Sequence, residues 1–159
     1  MVKPIKGCDM ATMTVGPACP ICGARSIVST SEPVTVELRT GRYTVSGFDY
    51  ERCTACAEEF HPAGQTDAIR AAASKLAREE AGLLRPDEIR ELRMNLGLTQ
   101  GDLERLLGVG EKTVGRWERG LFVQSKTADT LMRLLRAHPE LVGETGFVAR
   151  EGRGPYRKG

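Results

Sequence analysis

Four of the five cysteines form two C-x2-C pairs, Cys19/Cys22 and Cys53/Cys56, separated by 30 residues. In a tight turn such a pair points both sulfurs at a common centre, and Gly23 suits the first turn because glycine takes positive φ at little cost. Two such knuckles supply four thiolates to one tetrahedral ion. That soft, all-sulfur donor set favours Zn2+, with Zn–S near ~2.3 Å. Iron of the rubredoxin kind uses the same four ligands and stays open. A disulfide framework is disfavoured where thiols are kept reduced. A redox dithiol needs one C-x-x-C at a helix N-terminus, not two around a hairpin. A closed four-cysteine site has no open coordination position, so metal-assisted hydrolysis is not expected. His61, five residues after Cys56, is a further donor that four cysteines leave without a role. Cys8 is expected to be a free thiol.

A second stretch carries a different chemistry. Residues 89–120 read IRELRMNLGLTQGDLERLLGVGEKTVGRWERG. Two short helices are joined by Leu107-Gly108-Val109-Gly110, a sharp reversal of helix-turn-helix length. The next helix carries Val114 and Trp117 at i, i+3, facing the core. Lys112, Thr113 and Arg116 lie on the other side, near the end that would enter a major groove. Trp117 reads as core, not as a base-stacking platform.

These groups need elements to hold them. Val34, Val36 and Leu38 alternate on one face of a strand, Thr40-Gly41-Arg42 turns the chain, Tyr43-Thr44-Val45 resumes the alternation, and Gly47 interrupts it before Phe48 and Tyr50, which gives two or three antiparallel strands. The cysteines flank this hairpin, where a metal would clamp a unit too small to fold on apolar burial alone. Asp67 to Ala81 has a weak, Ala-rich apolar face (Ile69, Ala72, Ala73, Leu76, Ala77) and reads as a linker helix ending at Gly82. Pro86 at a first helical position opens a helix over 86–96, with Ile89, Leu92 and Met94 or Leu96 inward. Thr99 caps a second over 100–107, with Leu103, Leu106 and Leu107 inward. A third spans about 111–119, capped by Gly110. A fourth spans about 126–137, capped by Ser125, with Leu131, Leu134 and Leu135 inward. The expected fold class is α+β with two domains. A zinc-stapled β domain covers 18–64, a linker helix 65–85, and an all-α helix-turn-helix domain 86–143. Residues 1–17 and 144–159 show no periodicity and are expected to be a disordered leader and tail.

Composition bounds the function. The chain has 159 residues, 40% apolar and 28% charged, ordinary for a globular protein. No run approaches the ~20 apolar residues of a membrane span, and the first residues lack the apolar segment of a secretory signal, so a cytoplasmic location is expected. Residues 1–82 carry net charge −1 and residues 83–159 net +3; a modestly basic C-terminal half is compatible with nucleic acid but does not require it. The two histidines, His61 and His138, sit in no triad. No phosphate loop or paired-carboxylate site is evident, so an enzyme is not expected.

The run LTQ-x2-L-x2-LLGV-x4-V-x-RWERG resembles the Cro/cI (Xre) helix-turn-helix. That resemblance implies that Gln100 starts helix two and touches phosphate, and that Lys112, Thr113 and Arg116 sit on the recognition helix. It also implies that Glu118 is the family's buried or semi-buried acid, with Arg93 as its partner. Gly110 departs from the Ser, Pro or Thr usual there. Residues 19–142 together, from the C-x2-C-x30-C-x2-C finger to His138-Pro139-Glu140-Leu141, resemble antitoxins of the MqsA/YgiT type. This implies a zinc-stabilised N-terminal domain that binds an RNase toxin of the MqsR type. It further implies a C-terminal domain that dimerises, binds a palindromic double-stranded DNA operator and represses its own operon. Relatives of this architecture also act as stand-alone zinc-finger/helix-turn-helix regulators.

Overall fold

The computed structural model describes residues 17–144, which leaves Cys8, most of the expected leader and the 144–159 tail beyond Glu144 outside the described residues. Five strands come first: β1 (Ile27–Thr30), β2 (Val34–Leu38), β3 (Gly41–Val45), β4 (Tyr50–Cys53) and β5 (Glu59–Phe60). Six helices follow: α1 (Gln65–Ala81), α2 (Pro86–Asn95), α3 (Gln100–Leu107), α4 (Thr113–Glu118), α5 (Lys126–Ala137) and α6 (Leu141–Glu144). The fold is α+β, in two units. One holds the described residues up to Glu32 together with Asp49–Pro62. The other holds Pro33–Phe48 and the described residues from Ala63 onward.

In the first unit β1, β4 and β5 form an antiparallel sheet in that order, with Ile27 opposite Cys53, Thr30 opposite Tyr50 and Arg52 opposite Glu59. Tyr50 is buried and its ring lies 4.9 Å from that of His61.

In the second unit β2 and β3 pair as a separate hairpin, Val34 opposite Val45 and Leu38 opposite Gly41. Gly41 takes φ 148°, a conformation that side chains disfavour. Two strands alone are marginal in water. Here their apolar face, Val34, Val36, Leu38, Tyr43 and Val45, packs on Ile69, Ala72 and Ala73 of α1. The hairpin expected at the centre of the 18–64 domain therefore packs with the helices. Alternation shows that a strand has an apolar face, but not which surface covers it.

Helix α1 is more than a linker. Its small residues Ala73 and Ala77 are fully buried, and its buried Arg78 donates to Gln124 Oε1 and Gly120 O at 3.3 Å each, and also to Phe122 O. Ser74 Oγ donates to Leu121 O at 3.2 Å. Burial lowers the Arg78 pKa, because its acceptors are neutral oxygens. The expectation of a weak core role fails because the face is built from alanines and satisfied polar groups, which a hydropathy pattern undervalues.

The helical core joins Leu84, Ile89, Leu92, Leu98, Leu103, Val114, Trp117 and Met132, with Leu96, Leu106 and Leu107 partly buried against it. Thr99 caps α3 in a reciprocal box with Asp102, and Ser125 caps α5 through Ala128 N–H at 3.1 Å. Leu135 is inward as expected, but Leu131 and Leu134 are exposed, and Met132 takes the inward position. Met94 is also exposed. Among the described residues no helix is long and apolar enough to cross a membrane.

Candidate metal centre and nucleic-acid interface

The two knuckles are built alike. Gly23 N–H donates to Cys19 O and Cys19 N–H to Ala24 O; Ala57 N–H donates to Cys53 O and Cys53 N–H to Glu58 O, all at 2.8–2.9 Å. The residue closing each turn is left-handed, Gly23 at φ 75° and Ala57 at φ 60°. Pairing of Ile27 with Cys53 brings the second knuckle beside the first. The four sulfurs lie within 4.8 Å of one another. Cys19 and Cys56 sulfurs stand 3.8 Å apart, Cys22 and Cys53 sulfurs 3.7 Å. A tetrahedron with metal–sulfur bonds of ~2.3 Å has edges of about 3.8 Å, so the donor set fits one four-coordinate ion.

Cys19 and Cys53 are buried, and Cys22 and Cys56 face solvent. The Ser26 hydroxyl, 3.3 Å from the Cys53 sulfur, pulls that thiol down to about 6, assisted by backbone N–H groups. Cys56 goes the other way. The backbone at Glu58 favours its thiolate, but desolvation and the other three sulfurs outweigh this and push it up to about 12. Thiols packed this closely cannot all shed protons without a cation among them. His61 lies outside the cluster, stacked on Tyr50 with Nε2 3.4 Å from Glu59.

The residues expected to meet DNA surround α4. Val114 and Trp117 are buried beneath it. Thr113 opens it, Arg116 is exposed along it, and Lys112 precedes it as the N-cap residue in the left-handed conformation, φ 62°. The cap expected at Gly110 therefore falls two residues later. The N-cap residue Lys112 offers no side-chain acceptor to this turn; instead the buried Glu104 carboxylate, from α3, accepts Val114 N–H at 3.0 Å.

Gln100 opens α3 and reaches across to the last turn of α4, where its Nε2 donates to Glu118 Oε2 at 2.7 Å. Glu118 is gripped from the other side by Arg93, whose third donor bonds Leu98 O at 2.9 Å. Arg90 and Arg119 line the same depression, about 490 Å³, with Lys112 and Gln100. Sequence reasoning had missed Arg90 and Arg119, although each lies one helical turn from a residue it had named.

The described residues thus combine a β unit whose four clustered cysteines could hold one metal ion with a set of short helices in which α3 and α4 are joined by a tight turn. The sequence profile of the family described as "Antitoxin component of bacterial toxin-antitoxin system, MqsA" matches residues 17–146. The chain belongs to that family. Among its relatives, "Antitoxin MqsA" of Escherichia coli is 28% identical over 127 residues, covering 79% of this chain and 97% of that protein. "Antitoxin HigA-2" of Vibrio cholerae is 38% identical over 55 residues, covering 35% of this chain and 53% of that protein.

Proposed function

We propose that this antitoxin neutralises an RNase toxin of the MqsR type through its N-terminal part and represses its own operon through the helix-turn-helix. The observation that carries the reading is the convergence of Gln100, Lys112, Thr113 and Arg116 around an exposed helix whose other face is core, in a chain of an antitoxin family. Arg116 and Thr113 read base edges in a major groove, Lys112 holds phosphate or base, and Gln100 holds phosphate. The exposed Leu131 and Leu134 of α5 give the helical unit an apolar face for a second copy. A two-fold homodimer then meets a palindromic operator with half-sites about 34 Å apart or a multiple of that. The four cysteines hold Zn2+, which supplies folding free energy to the small β unit. The protein works in the cytoplasm and catalyses nothing.

The toxin-binding half rests on charge and open strand edges. The described residues of the first unit carry five acids against two Lys/Arg, and four thiolates with Zn2+ add a further −2. A protein that holds RNA presents a basic surface, and an acidic unit complements it. Among the described residues strand β1 is an edge of its sheet with Val28 exposed, and β2 and β3 have no third strand. Strand addition by a partner is thus physically available.

The test has two arms. In gel-shift titrations at fixed salt, the full chain should retard DNA from upstream of its own coding sequence, and Arg116→Ala should cost roughly 1–3 kcal/mol. Unchanged affinity in that variant would refute the recognition-helix assignment. In the other arm, the product of the adjacent reading frame should arrest growth and be rescued by this chain with one metal ion bound. If no adjacent product arrests growth, a stand-alone regulator takes the antitoxin's place.

A further inference from the structure

The turn joining β2 to β3 places Arg39 beside the recognition helix. Arg39 lines a pocket of about 320 Å³ together with Thr113, Arg116, Phe122 and Ser125. It also lines an adjoining groove of about 450 Å³ with Arg70, Phe122 and Lys126. Phe122, itself 41% exposed, carries two guanidinium groups, with Arg70 at 5.1 Å and Arg116 at 5.2 Å from the ring centroid. Arg39, Arg70, Arg116 and Lys126 therefore border two cavities that share Arg39 and Phe122. The acid along its rim, Glu37, is already committed to Arg42 at 2.7 Å. Among the described residues Arg39 has neither a hydrogen bond nor an ion pair.

We propose that the β2–β3 hairpin is a basic wing, with Arg39 contacting the phosphate backbone of the duplex that α4 enters. The inference rests on the DNA-binding reading above and extends its footprint to a segment outside the helix-turn-helix. Like charges gathered where the rim acid is already paired raise the local potential and invite a polyanion. Duplex DNA carries one charge per ~1.7 Å of axis, so a strand flanking the groove filled by α4 offers phosphate next to Arg116. The wing is also held in place. Its apolar face sits on Ile69 and Ala73 of α1, and Tyr43 donates to Glu80 at 3.0 Å, so Arg39 projects from an anchored turn and sacrifices less freedom on binding than a loose loop would. A contact of this kind positions the protein on the duplex and carries no sequence information.

The experiment is a salt titration of the full chain, with Arg39→Ala, Arg39→Lys and a control, Lys75→Ala, whose ion pair with Glu79 lies on the exposed side of α1. Each binds two labelled duplexes, one from upstream of its own coding sequence and one of random sequence. Arg39→Ala should flatten log K against log salt by about 1.8 for the two-fold dimer, the loss of one phosphate contact per protomer. Affinity should fall equally on both duplexes, and the loss of affinity between 50 and 200 mM salt should shrink by about 12-fold. Arg39→Lys should keep the slope, because any cation serves a phosphate. A slope in Arg39→Ala equal to that of Lys75→Ala, while Arg116→Ala still loses specific binding, overturns the wing and leaves the DNA reading standing. So does an effect confined to one duplex. Failure of the unmodified protein to bind either duplex overturns the DNA reading and the wing together.

Discussion

The Arg93 guanidinium and the Glu118 carboxylate meet at 2.6 Å, with side chains only 14% and 6% exposed. The pair ties α2 to the end of α4, and Glu118 in turn holds Gln100. Removing one partner strands the other charge in a nearly dry site. Glu118→Ala should cost roughly 2–4 kcal/mol in urea denaturation. Arg93→Met combined with Glu118→Leu should recover part of that loss, because neither charge then remains. A double variant less stable than Glu118→Ala alone would contradict this account.

Asp129 ties the segment after α1 to α5. Its carboxylate accepts Leu84 N–H and Arg133 Nε at 2.7 Å and Gln124 Nε2 at 3.2 Å. Burial by itself would raise its pKa, but the Leu84 N–H, Arg133 and Gln124 outweigh that and hold it below the usual value. A carboxylate with a depressed folded pKa stabilises above its unfolded value, near ~3.9, and loses that contribution as pH falls through the folded value. Asp129→Asn should therefore be less stable than the parent by roughly 1–3 kcal/mol at neutral pH. The gap should narrow below about pH 4 in chemical denaturation followed across pH. A gap that is constant down to acid pH would show that the charge is irrelevant.

Local chemistry was legible in the sequence, and long-range packing was not. The knuckles, the caps at Thr99 and Ser125, and the stops at Gly82 and Gly108 all depend on residues within a turn of each other. The resemblance located the Arg93–Glu118 pair. A third strand near Tyr50 was open to the alternation, but strands β1 and β5 are too short to show one, and Ile27 gains its meaning only from pairing with Cys53. The burial of Arg78 has no local signal, since its acceptors at Gly120 and Phe122 lie more than forty residues away. Met132 turns inward with Ala128 and Leu135 on one i, i+4, i+7 stripe, a face that competes in the sequence with the one carrying Leu131 and Leu134.

The two metal knuckles differ at one informative position. Gly23 and Ala57 close equivalent turns with left-handed backbone, and only glycine does so without steric cost. Ala57 is exposed, so its methyl group contributes little packing. Ala57→Gly should stabilise the folded, metal-loaded protein by up to about 1 kcal/mol, while Gly23→Ala should destabilise it by about as much. Competition against a chelator, followed by metal release, reads both. Weaker metal retention in Ala57→Gly than in the parent would show that the strain has been misjudged.

Gly115 lies mid-helix in α4, a position where alanine is ordinarily better by about 1 kcal/mol. Here a Cβ would stand 3.0 Å from Gln100 Oε1, at the far end of a flexible, exposed side chain. The helix gains backbone stability, and the Gln100 amide must yield by a few tenths of an ångström, which weakens its 2.7 Å bond to Glu118. The two effects oppose each other and are of similar size, since one such bond contributes about 1 kcal/mol. Gly115→Ala should thus change stability by less than about 1 kcal/mol while weakening DNA binding. The loss should match that of Gln100→Ala and be equal on specific and random duplexes, as for a displaced phosphate contact. Thermal melts and gel-shift titrations of both variants read this directly. If Gly115→Ala binds DNA like the parent, the glycine is not there to make room for Gln100.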